Sequence, residues 1–234
     1  MLYKRVLLKL SGEAIGGPDG VGLDEVVMAK YAFEIAKIAK MGVQVAIVIG
    51  GGNIFRGISG TELGFDRVHG DQMGMLATVI NSIGLSLSLK KKGASAEVFT
   101  STPMCPIGKY YMRDEVVAYM ELGGVAILSG GTGNPFFTTD SAAALRACEI
   151  NADVILKGTK VDGVYDCDPM KNKNAIKYST LTFNKALQDN LRVMDQTAFT
   201  LCKENNMPII VFNINKEGAL TQIIEGEKIG TLVK

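Results

Sequence analysis

Three cationic side chains stand next to glycine-rich segments of this sequence. Lys9 and Lys157 each follow three aliphatic residues and lie within three residues of a glycine, and Arg56 follows the three glycines at 50–52. Aliphatic runs of this kind predict buried parallel strands, and ligands bind at the carboxyl ends of such strands. Glycine exposes backbone N–H groups there, while ammonium and guanidinium groups neutralise phosphate oxygens. The pattern therefore predicts a pocket for several phosphate groups.

A carboxylate is available to organise these cations. A fourth aliphatic run, Val125–Ser129, leads into a glycine- and threonine-rich segment that ends at Asp140. We predict that Asp140 orients the two lysines around a moving phosphoryl group, because phosphoryl transfer needs positioning and charge neutralisation above all. The structural alternatives are that Asp140 caps a helix and that Lys9 and Lys157 lie at exposed strand ends. The three aliphatic residues before each lysine favour burial beside anions.

Other chemistries find little support in the sequence. A P-loop requires G-x-x-x-x-G-K-[ST] and a dinucleotide site requires G-x-G-x-x-G, and neither spacing is present. The single histidine, His69, cannot form a multi-histidine metal site, and the four cysteines show no C-x-x-C spacing. We therefore predict no protein-bound metal centre, and phosphoryl transfer remains the favoured reaction class.

Composition limits the partners and the location. The formal net charge is +1 and no basic stripe is present, so the electrostatic footprint of a nucleic-acid-binding protein is missing. No stretch reaches the roughly 20 consecutive apolar residues of a membrane helix. The cysteine spacing is typical of unpaired, reduced thiols. These features predict a cytoplasmic protein without a membrane or nucleic-acid partner.

The hydrophobic pattern alternates strands with helices, which predicts an α/β fold. We expect a mostly parallel central sheet with helices on both faces, an αβα sandwich, in one domain over residues 1–234 with two lobes. The segments 13–23 and 158–180 are predicted to be largely irregular. The predicted strands lie at 3–10, 45–49, 96–100, 125–129, 154–157, 209–214 and 231–233, and the predicted helices at 24–41, 70–92, 114–122, 140–148, 182–189, 193–205 and 217–225.

Four strings in this sequence resemble the bacterial UMP kinases of the amino-acid-kinase superfamily. They are Lys-Leu-Ser-Gly at 9–12, Gly-Gly-Gly-Asn-Ile-Phe-Arg-Gly at 50–57, Gly-Thr-Gly-Asn-Pro-Phe-Phe-Thr-Thr-Asp at 131–140 and Lys-Gly-Thr-Lys-Val-Asp-Gly-Val-Tyr-Asp at 157–166. The third string is the most specific, and the resemblance runs along essentially the whole chain. It implies the amino-acid-kinase fold and transfer of the ATP γ-phosphoryl group to UMP, giving UDP and ADP for pyrimidine nucleotide synthesis.

The resemblance also implies two binding sites, with UMP in the lobe of about 1–100 and ATP in that of about 150–234. The ATP site comprises Lys9, Leu10, Ser11, Gly12, Gly52 and Arg56 for the phosphates, and Thr159, Tyr165 and Asp168 for the adenosine end. The UMP site comprises Gly51, Asp71 and part of the segment 129–140, namely Thr132, Gly133, Asn134, Pro135, Phe136, Phe137, Thr138 and Thr139. Asp71 is suited to accept from ribose hydroxyls and Asn134 to read the uracil edge. The alternatives are that Asp71 caps its helix and that Phe136, Phe137 and Tyr165 are packed aromatic residues.

Further properties follow from the same resemblance. It implies Mg²⁺ together with ATP, a homo-oligomer that is a hexamer built from dimers, GTP as an activator and UTP as an inhibitor. The region linked to GTP activation matches Gly17, Pro18, Asp19, Gly20, Val21 and Gly22, and no role is assigned to Asp195 or His69.

Two other functions stay open at this point. One is a related kinase acting on a carboxylate such as N-acetylglutamate, or on carbamate, but the segment 132–139 has no cation for a carboxylate. The other is a nucleotide-binding storage or regulatory protein without turnover, which the presence of Lys9, Lys157 and Asp140 disfavours.

Overall fold

A computed structural model of the protein describes residues 1–55, 64–167, 169, 171–172 and 174–234. Strands and helices alternate along most of this chain, as the hydrophobic pattern predicts. The strands are β1 (Arg5–Leu10), β2 (Gln44–Ile49), β3 (Ala96–Thr100), β4 (Lys109–Tyr110), β5 (Val125–Ser129), β6 (Val154–Thr159), β7 (Thr180–Leu181), β8 (Ile209–Asn213) and β9 (Thr231–Val233). The helices are α1 (Gly12–Ile15), α2 (Glu25–Lys40), α3 (Arg67–Lys91), α4 (Arg113–Glu121), α5 (Thr139–Glu149), α6 (Phe183–Gln188), α7 (Gln196–Glu204) and α8 (Ala219–Glu225).

These strands form one sheet in the order β4-β3-β5-β2-β1-β6-β8-β9-β7. Neighbouring strands are parallel except for β8 and β9, which pair antiparallel. A parallel arrangement brings the carboxyl ends of β1, β2, β5 and β6 to the same edge of the sheet, which is where ligands bind in such folds. The predicted fold class, a mostly parallel αβα arrangement in one domain, is confirmed. The boundaries of the two lobes stay a prediction.

Helices cover both faces of the sheet, and each face has its own hydrophobic core. One core joins Val6 and Leu8 of β1 to residues of α2, α3 and α8. The other joins Leu7 to residues of α4, α5, α6 and α7. Because side chains alternate along a strand, Lys9 lies on the same face as Leu7, the face that α5 covers. The sheet therefore presents Lys9 to the N-terminal end of α5.

Three of the sequence predictions of helix starts were wrong, one of them at α7, which begins at Gln196 and not at the expected Val193 because Asp195 caps it. Asp24 caps α2 as expected, since its carboxylate accepts from the N–H of Val27 at 3.0 Å. However, α3 begins three residues before the expected Gly70, because Asp66 caps it. Asp114 lies in the first turn of α4 and is not its cap.

The remaining differences concern short elements and one strand end. The predicted loop after β1 contains the four-residue helix α1, which Ser11 caps. Strand β6 extends two residues beyond the expected end at Lys157, because Gly158 and Thr159 continue the pairing with β8. The two-residue strands β4 and β7 were not predicted, since elements this short leave no periodic pattern.

Helix α3 is long, and its central part carries no charge. By length and composition alone it is apolar enough to cross a membrane, although glycine, serine, threonine and asparagine interrupt its apolar residues, so it contains no run of about 20 consecutive apolar residues. Leu85 and Leu89 of α3 are buried in the core against the sheet, which is the environment of a core helix in a folded domain. The other side of α3 exposes four aliphatic residues, here called the apolar stripe: Leu76, Ile80, Ile83 and Leu87.

Candidate active site

A buried carboxylate joins the two lysines. Lys9 and Lys157 are directly opposite each other on the neighbouring strands β1 and β6. Lys9 Nζ lies 2.7 Å from Asp140 Oδ1. Lys157 Nζ donates to Asp140 Oδ2 at 2.8 Å and to the carbonyl oxygen of Val193 at 2.6 Å. These contacts define the lysine cluster, namely Lys9, Asp140 and Lys157, whose side chains are at most 15% exposed.

Burial and charge have opposing effects within the lysine cluster. Burial alone raises the pKa of Asp140, but the charges of Lys9 and Lys157 outweigh it and hold this pKa below the ordinary value of 3.8. Burial lowers the pKa of Lys157; Asp140 opposes this shift, while the positive charge of Lys9 adds to it. Because the cluster contains two cations and one carboxylate, it offers excess positive charge to an anionic ligand.

The N-terminus of α5 fixes the position of Asp140. Thr138 is the N-cap, and its Oγ1 accepts from the N–H groups of Asp140 and Ser141, so the alternative that Asp140 caps the helix was wrong. The hydroxyls of Thr138 and Ser141 both donate to the carboxylate of Asp195. Asp195 also caps α7 by accepting from the N–H of Ala198 at 3.0 Å. Asp195 therefore ties α7 to the residues that hold Asp140.

A cavity of about 550 Å³ lies between the triple glycine and the segment 131–139; it is here called the acceptor cavity because several residues expected from the sequence to bind the acceptor line it. Asp71 of α3 lines it, and its carboxylate accepts from Arg67 Nε at 2.9 Å and from the N–H of Phe136 at 2.8 Å. Asp71 lies inside α3, so the alternative that it caps this helix was wrong. Phe136 has a left-handed φ of 70°, a conformation that is strained for a residue with a side chain.

Six of the ten residues expected around UMP line this cavity, and four do not. Phe136 and Phe137 are 65% and 52% exposed, so the alternative that they are core residues was wrong. Thr132, Gly133, Pro135 and Phe136 are outside the cavity wall. The expected residues that do line it are Gly51, Asp71, Asn134, Phe137, Thr138 and Thr139.

A second cavity, also of about 550 Å³, is lined by Lys157, Thr159 and Tyr165; it is here called the donor cavity because Thr159 and Tyr165 are expected from the sequence at the adenosine end of ATP. The Tyr165 hydroxyl contacts the carboxylate of Asp162, and Lys177 Nζ donates to the same carboxylate at 2.8 Å. A third cavity, of about 890 Å³, includes Asp140 and Lys157 in its wall. Lys157 thus lines both of these cavities and Asp140 lines the third, whereas the acceptor cavity is reached only by Thr139, the neighbour of Asp140.

Two glycine-containing turns meet backbone to backbone at the ends of β1 and β2. A Cβ atom on Gly12 would lie 2.7 Å from the carbonyl oxygen of Gly50 and 2.8 Å from the nitrogen of Gly52. These distances are too short for a side chain, so the close approach requires glycine. Ser11 and Leu10 are adjacent to this contact. The predicted phosphate-binding turns of β1 and β2 are therefore in direct contact.

Two residues expected in the site are not described by the structure, and two others take part in it although the sequence analysis gave them no role. Arg56 and Asp168 lie outside the described residues. Arg67 was not singled out in the sequence, although its i, i+4 spacing from Asp71 on a helix was an available signal; its guanidinium lies 5.8 Å from the centre of the Phe136 ring. Asp195 was noticed without a role, and its position before an apolar helical run is the signal of an N-cap.

The chain is similar to known proteins along most of its length. The sequence profile of the amino acid kinase family matches residues 4–213. The uridylate kinase of Parabacteroides distasonis is 57% identical over 231 residues, which covers 99% of this chain and 98% of the relative. The uridylate kinase of Bacteroides thetaiotaomicron is 55% identical over 231 residues, with the same coverage of 99% and 98%.

Solved structures extend this similarity to three dimensions. The UMP kinase of Bacillus anthracis superposes with a TM-score of 0.96 at 42% identity, covering 100% of this chain and 97% of that one. The UMP kinase of Ureaplasma parvum gives a TM-score of 0.93 at 41% identity and covers 100% of both chains. Since sequence and structure agree over the full length, the chain belongs to the amino acid kinase family and, within it, to the uridylate kinases, also called UMP kinases.

Proposed function

We propose that this protein transfers the γ-phosphoryl group of ATP to UMP, releasing UDP and ADP. The observation that carries the proposal is the lysine cluster, which places two buried ammonium groups on one carboxylate. Lys157 lines the donor cavity, and Thr139, next to Asp140, lines the acceptor cavity. The names of the full-length relatives, uridylate kinase and UMP kinase, support the choice of acceptor.

The chemistry of the acceptor suits a site built from cations. A phosphate monoester has a second pKa of about 6, so the attacking oxygen of UMP is already largely deprotonated at neutral pH. The reaction therefore needs no general base. Charge in the transition state is spread over the oxygens of the moving phosphoryl group. We assign Lys9 and Lys157, with Arg56, to neutralise that charge, and Asp140 to hold the two lysines in place.

The two substrates occupy opposite sides of the lysine cluster in this proposal. The ATP phosphates lie against Ser11, Gly12 and Gly52, and the adenosine end lies in the donor cavity against Thr159 and Tyr165. Asp168 is assigned to the same end of ATP from the resemblance. UMP lies in the acceptor cavity, where its ribose hydroxyls donate to Asp71 and displace Arg67. This division corresponds to an acceptor lobe of about 1–100, with part of 129–140, and an ATP lobe of about 150–234.

Magnesium enters as the MgATP substrate. Among the residues that the structure describes, no group of three or more His, Cys, Asp or Glu side chains is placed to hold a metal ion. The carboxylate of Asp140 is already shared by two lysines. Phosphate oxygens and water therefore supply most of the Mg²⁺ ligands, which is how this ion is commonly bound in kinases.

The apolar stripe supports a proposal that copies of this chain associate. Leu76, Ile80, Ile83 and Leu87 recur on one side of α3 and are 37–57% exposed, and exposed apolar surfaces of this kind mark interaction sites. A second copy of the same helix offers a matching apolar surface, as a two-fold dimer requires. We propose that such dimers assemble into a hexamer and that the protein acts in the cytoplasm. We further propose that GTP activates it through the loop at 17–22 and that UTP inhibits it.

A coupled assay of nucleoside diphosphate and ADP formation tests the function. MgATP is supplied with UMP and, separately, with CMP, AMP and N-acetylglutamate. We expect UMP to be preferred over CMP by about 10⁴-fold in kcat/KM, because a site built for one base edge leaves polar groups unpaired with another. Lys9→Ala should lower kcat by about 10²–10³-fold, the usual cost of removing one preorganised donor. Comparable kcat/KM values for UMP and CMP would refute the uracil assignment, and nucleotide binding without turnover would favour a storage or regulatory protein.

A further inference from the structure

A pair of buried amides lies directly behind the triple glycine. Asn53 follows the glycines and Asn81 belongs to α3, and their exposed fractions are 4% and 0%. Asn53 Nδ2 donates to Asn81 Oδ1 at 3.0 Å, and Asn81 Nδ2 donates to Asn53 Oδ1 at 2.7 Å. The phosphoryl-transfer chemistry described above requires neither side chain, so their burial calls for another explanation.

The second N–H of each amide holds a backbone carbonyl. Asn81 Nδ2 donates to the carbonyl oxygen of Gly50 at 2.7 Å, and Asn53 Nδ2 donates to that of Gly22 at 2.6 Å. The N–H of Gly22 donates in return to the carbonyl oxygen of Asn53 at 2.9 Å. Because a carbonyl oxygen only accepts, these contacts determine the orientation of both amides. The pair thereby joins three segments: the triple glycine, the loop at 17–22 and α3.

The contact with Gly50 also determines the direction of the next N–H. In a trans peptide, the carbonyl of one residue and the N–H of the following residue point in opposite directions. By holding the Gly50 carbonyl, Asn81 turns the N–H of Gly51 to the opposite side of that peptide. Gly51 lines the acceptor cavity, and its N–H donates to no other group in the part of the chain that the structure describes. This donor is therefore available to a ligand oxygen.

We propose that Asn53 and Asn81 form a positioning pair for the phosphate-binding turn. The pair sets the Gly50–Gly51 peptide so that the Gly51 N–H meets a phosphate oxygen, and it anchors the loop at 17–22 to the same turn through Gly22. Both side chains act through the backbone rather than on the substrate. The inference rests on the proposed function, since it takes the ligand to be the phosphates of the two nucleotides.

Kinetics of Asn81→Leu, Asn53→Leu and the double variant test the proposal. Each single variant should lower kcat at saturating MgATP and UMP by about 10²-fold, the usual effect of displacing a reacting group by about 1 Å. The double variant should lose no more than the worse single variant, because the two amides act as a unit. The matched control is Ser82→Ala: Ser82 is also 0% exposed, but its Oγ donates to Thr78 within α3 at 2.8 Å. The control should keep its kcat.

Hydrogen exchange of the nucleotide-free protein gives a readout that does not depend on turnover. The amides of Gly50, Ile54 and Phe55 donate to backbone carbonyls at 2.9–3.0 Å. We expect these amides to exchange faster in Asn81→Leu, while the exchange rates of the amides in β3 and β5 stay unchanged.

If the wild type forms no UDP, the proposed function fails, yet this exchange pattern still tests the positioning role. Should Asn81→Leu not fold, Asn81→Asp replaces it with the same expectations, because an ionised carboxylate cannot donate to the Gly50 carbonyl. A folded Asn81 variant with unchanged kcat, a kcat loss equal to that of Ser82→Ala, or faster exchange spread over the whole sheet would overturn the proposal.

Discussion

Replacing Asp140 with asparagine tests the lysine cluster directly, because Asp140→Asn keeps the shape of the side chain and removes its charge. At Nζ–Oδ distances of 2.7 and 2.8 Å, each contact has a gross Coulomb energy of about 6 kcal/mol at an effective dielectric constant of about 20. Desolvation of the buried charges offsets much of this energy, so removing one partner should lower the free energy of unfolding by about 3–5 kcal/mol. At about 2–4 °C per kcal/mol for a chain of 234 residues, Tm should fall by about 6–20 °C.

The same variant should lower kcat by about 10²-fold, because two ammonium groups without their shared carboxylate repel each other and lose alignment. Thermal unfolding followed by circular dichroism and the coupled UDP assay measure the two effects separately. The matched control is Asp114→Asn, which removes a carboxylate 2.6 Å from Arg113, where the two side chains are 87% and 44% exposed. Exposed ion pairs contribute at most about 1 kcal/mol. An unchanged kcat in folded Asp140→Asn would refute the role of Asp140, and a Tm loss no larger than that of the control would refute the electrostatic argument.

Asp71→Ala should raise KM for UMP by about 10–100-fold with a smaller change in kcat, because a hydrogen bond to a charged acceptor contributes about 1.5–3 kcal/mol. Steady-state kinetics with the UMP concentration varied measures this change, and an unchanged KM would contradict the prediction. Asp195→Ala should lower the free energy of unfolding, measured by urea denaturation, by about 1 kcal/mol, because α7 loses its N-cap, whereas Asp195→Asn should still cap α7. Asp195→Ala should also lower kcat, because Thr138 loses a hydrogen-bond partner. Equal stability of the two variants would speak against the capping role. Because the pKa of Asp140 is lower in the folded protein than its ordinary value of 3.8, its contribution to stability is present above that pH and is lost as the pH falls through the folded pKa. As the pH is lowered from 3.8 through the folded pKa, wild type should therefore lose more stability than Asp140→Asn in chemical denaturation, and parallel pH profiles would be the contrary result. Ile80→Glu should reduce the oligomer size measured by sedimentation velocity, since an unpaired charge is costly to bury in an apolar interface; an unaltered sedimentation coefficient would exclude the apolar stripe as the interface.

The strands that carry the candidate site were predictable because their signals are local. Lys9 and Lys157 each follow aliphatic residues that only a buried strand accommodates, and the glycines at 50–52 mark the end of another strand. The prediction failed where the local signal was weak or shared. The four residues of α1 lie inside a glycine-rich segment, and Asp66 competes with Asp71 as the first plausible cap of α3.

The amino-acid sequence by itself determined that this chain forms a mostly parallel α/β sheet, that cations and glycines stand at its strand ends, and that the chemistry is directed at phosphates. Only the tertiary structure decided that Asp140 lies between Lys9 and Lys157, that Asp195 supports the start of α5, and that Asn53 and Asn81 form a pair. These contacts join residues that are distant in the sequence. Hydrophobic periodicity specifies which face of each element is buried, whereas strand order, register and helix packing determine which polar groups meet across the buried faces.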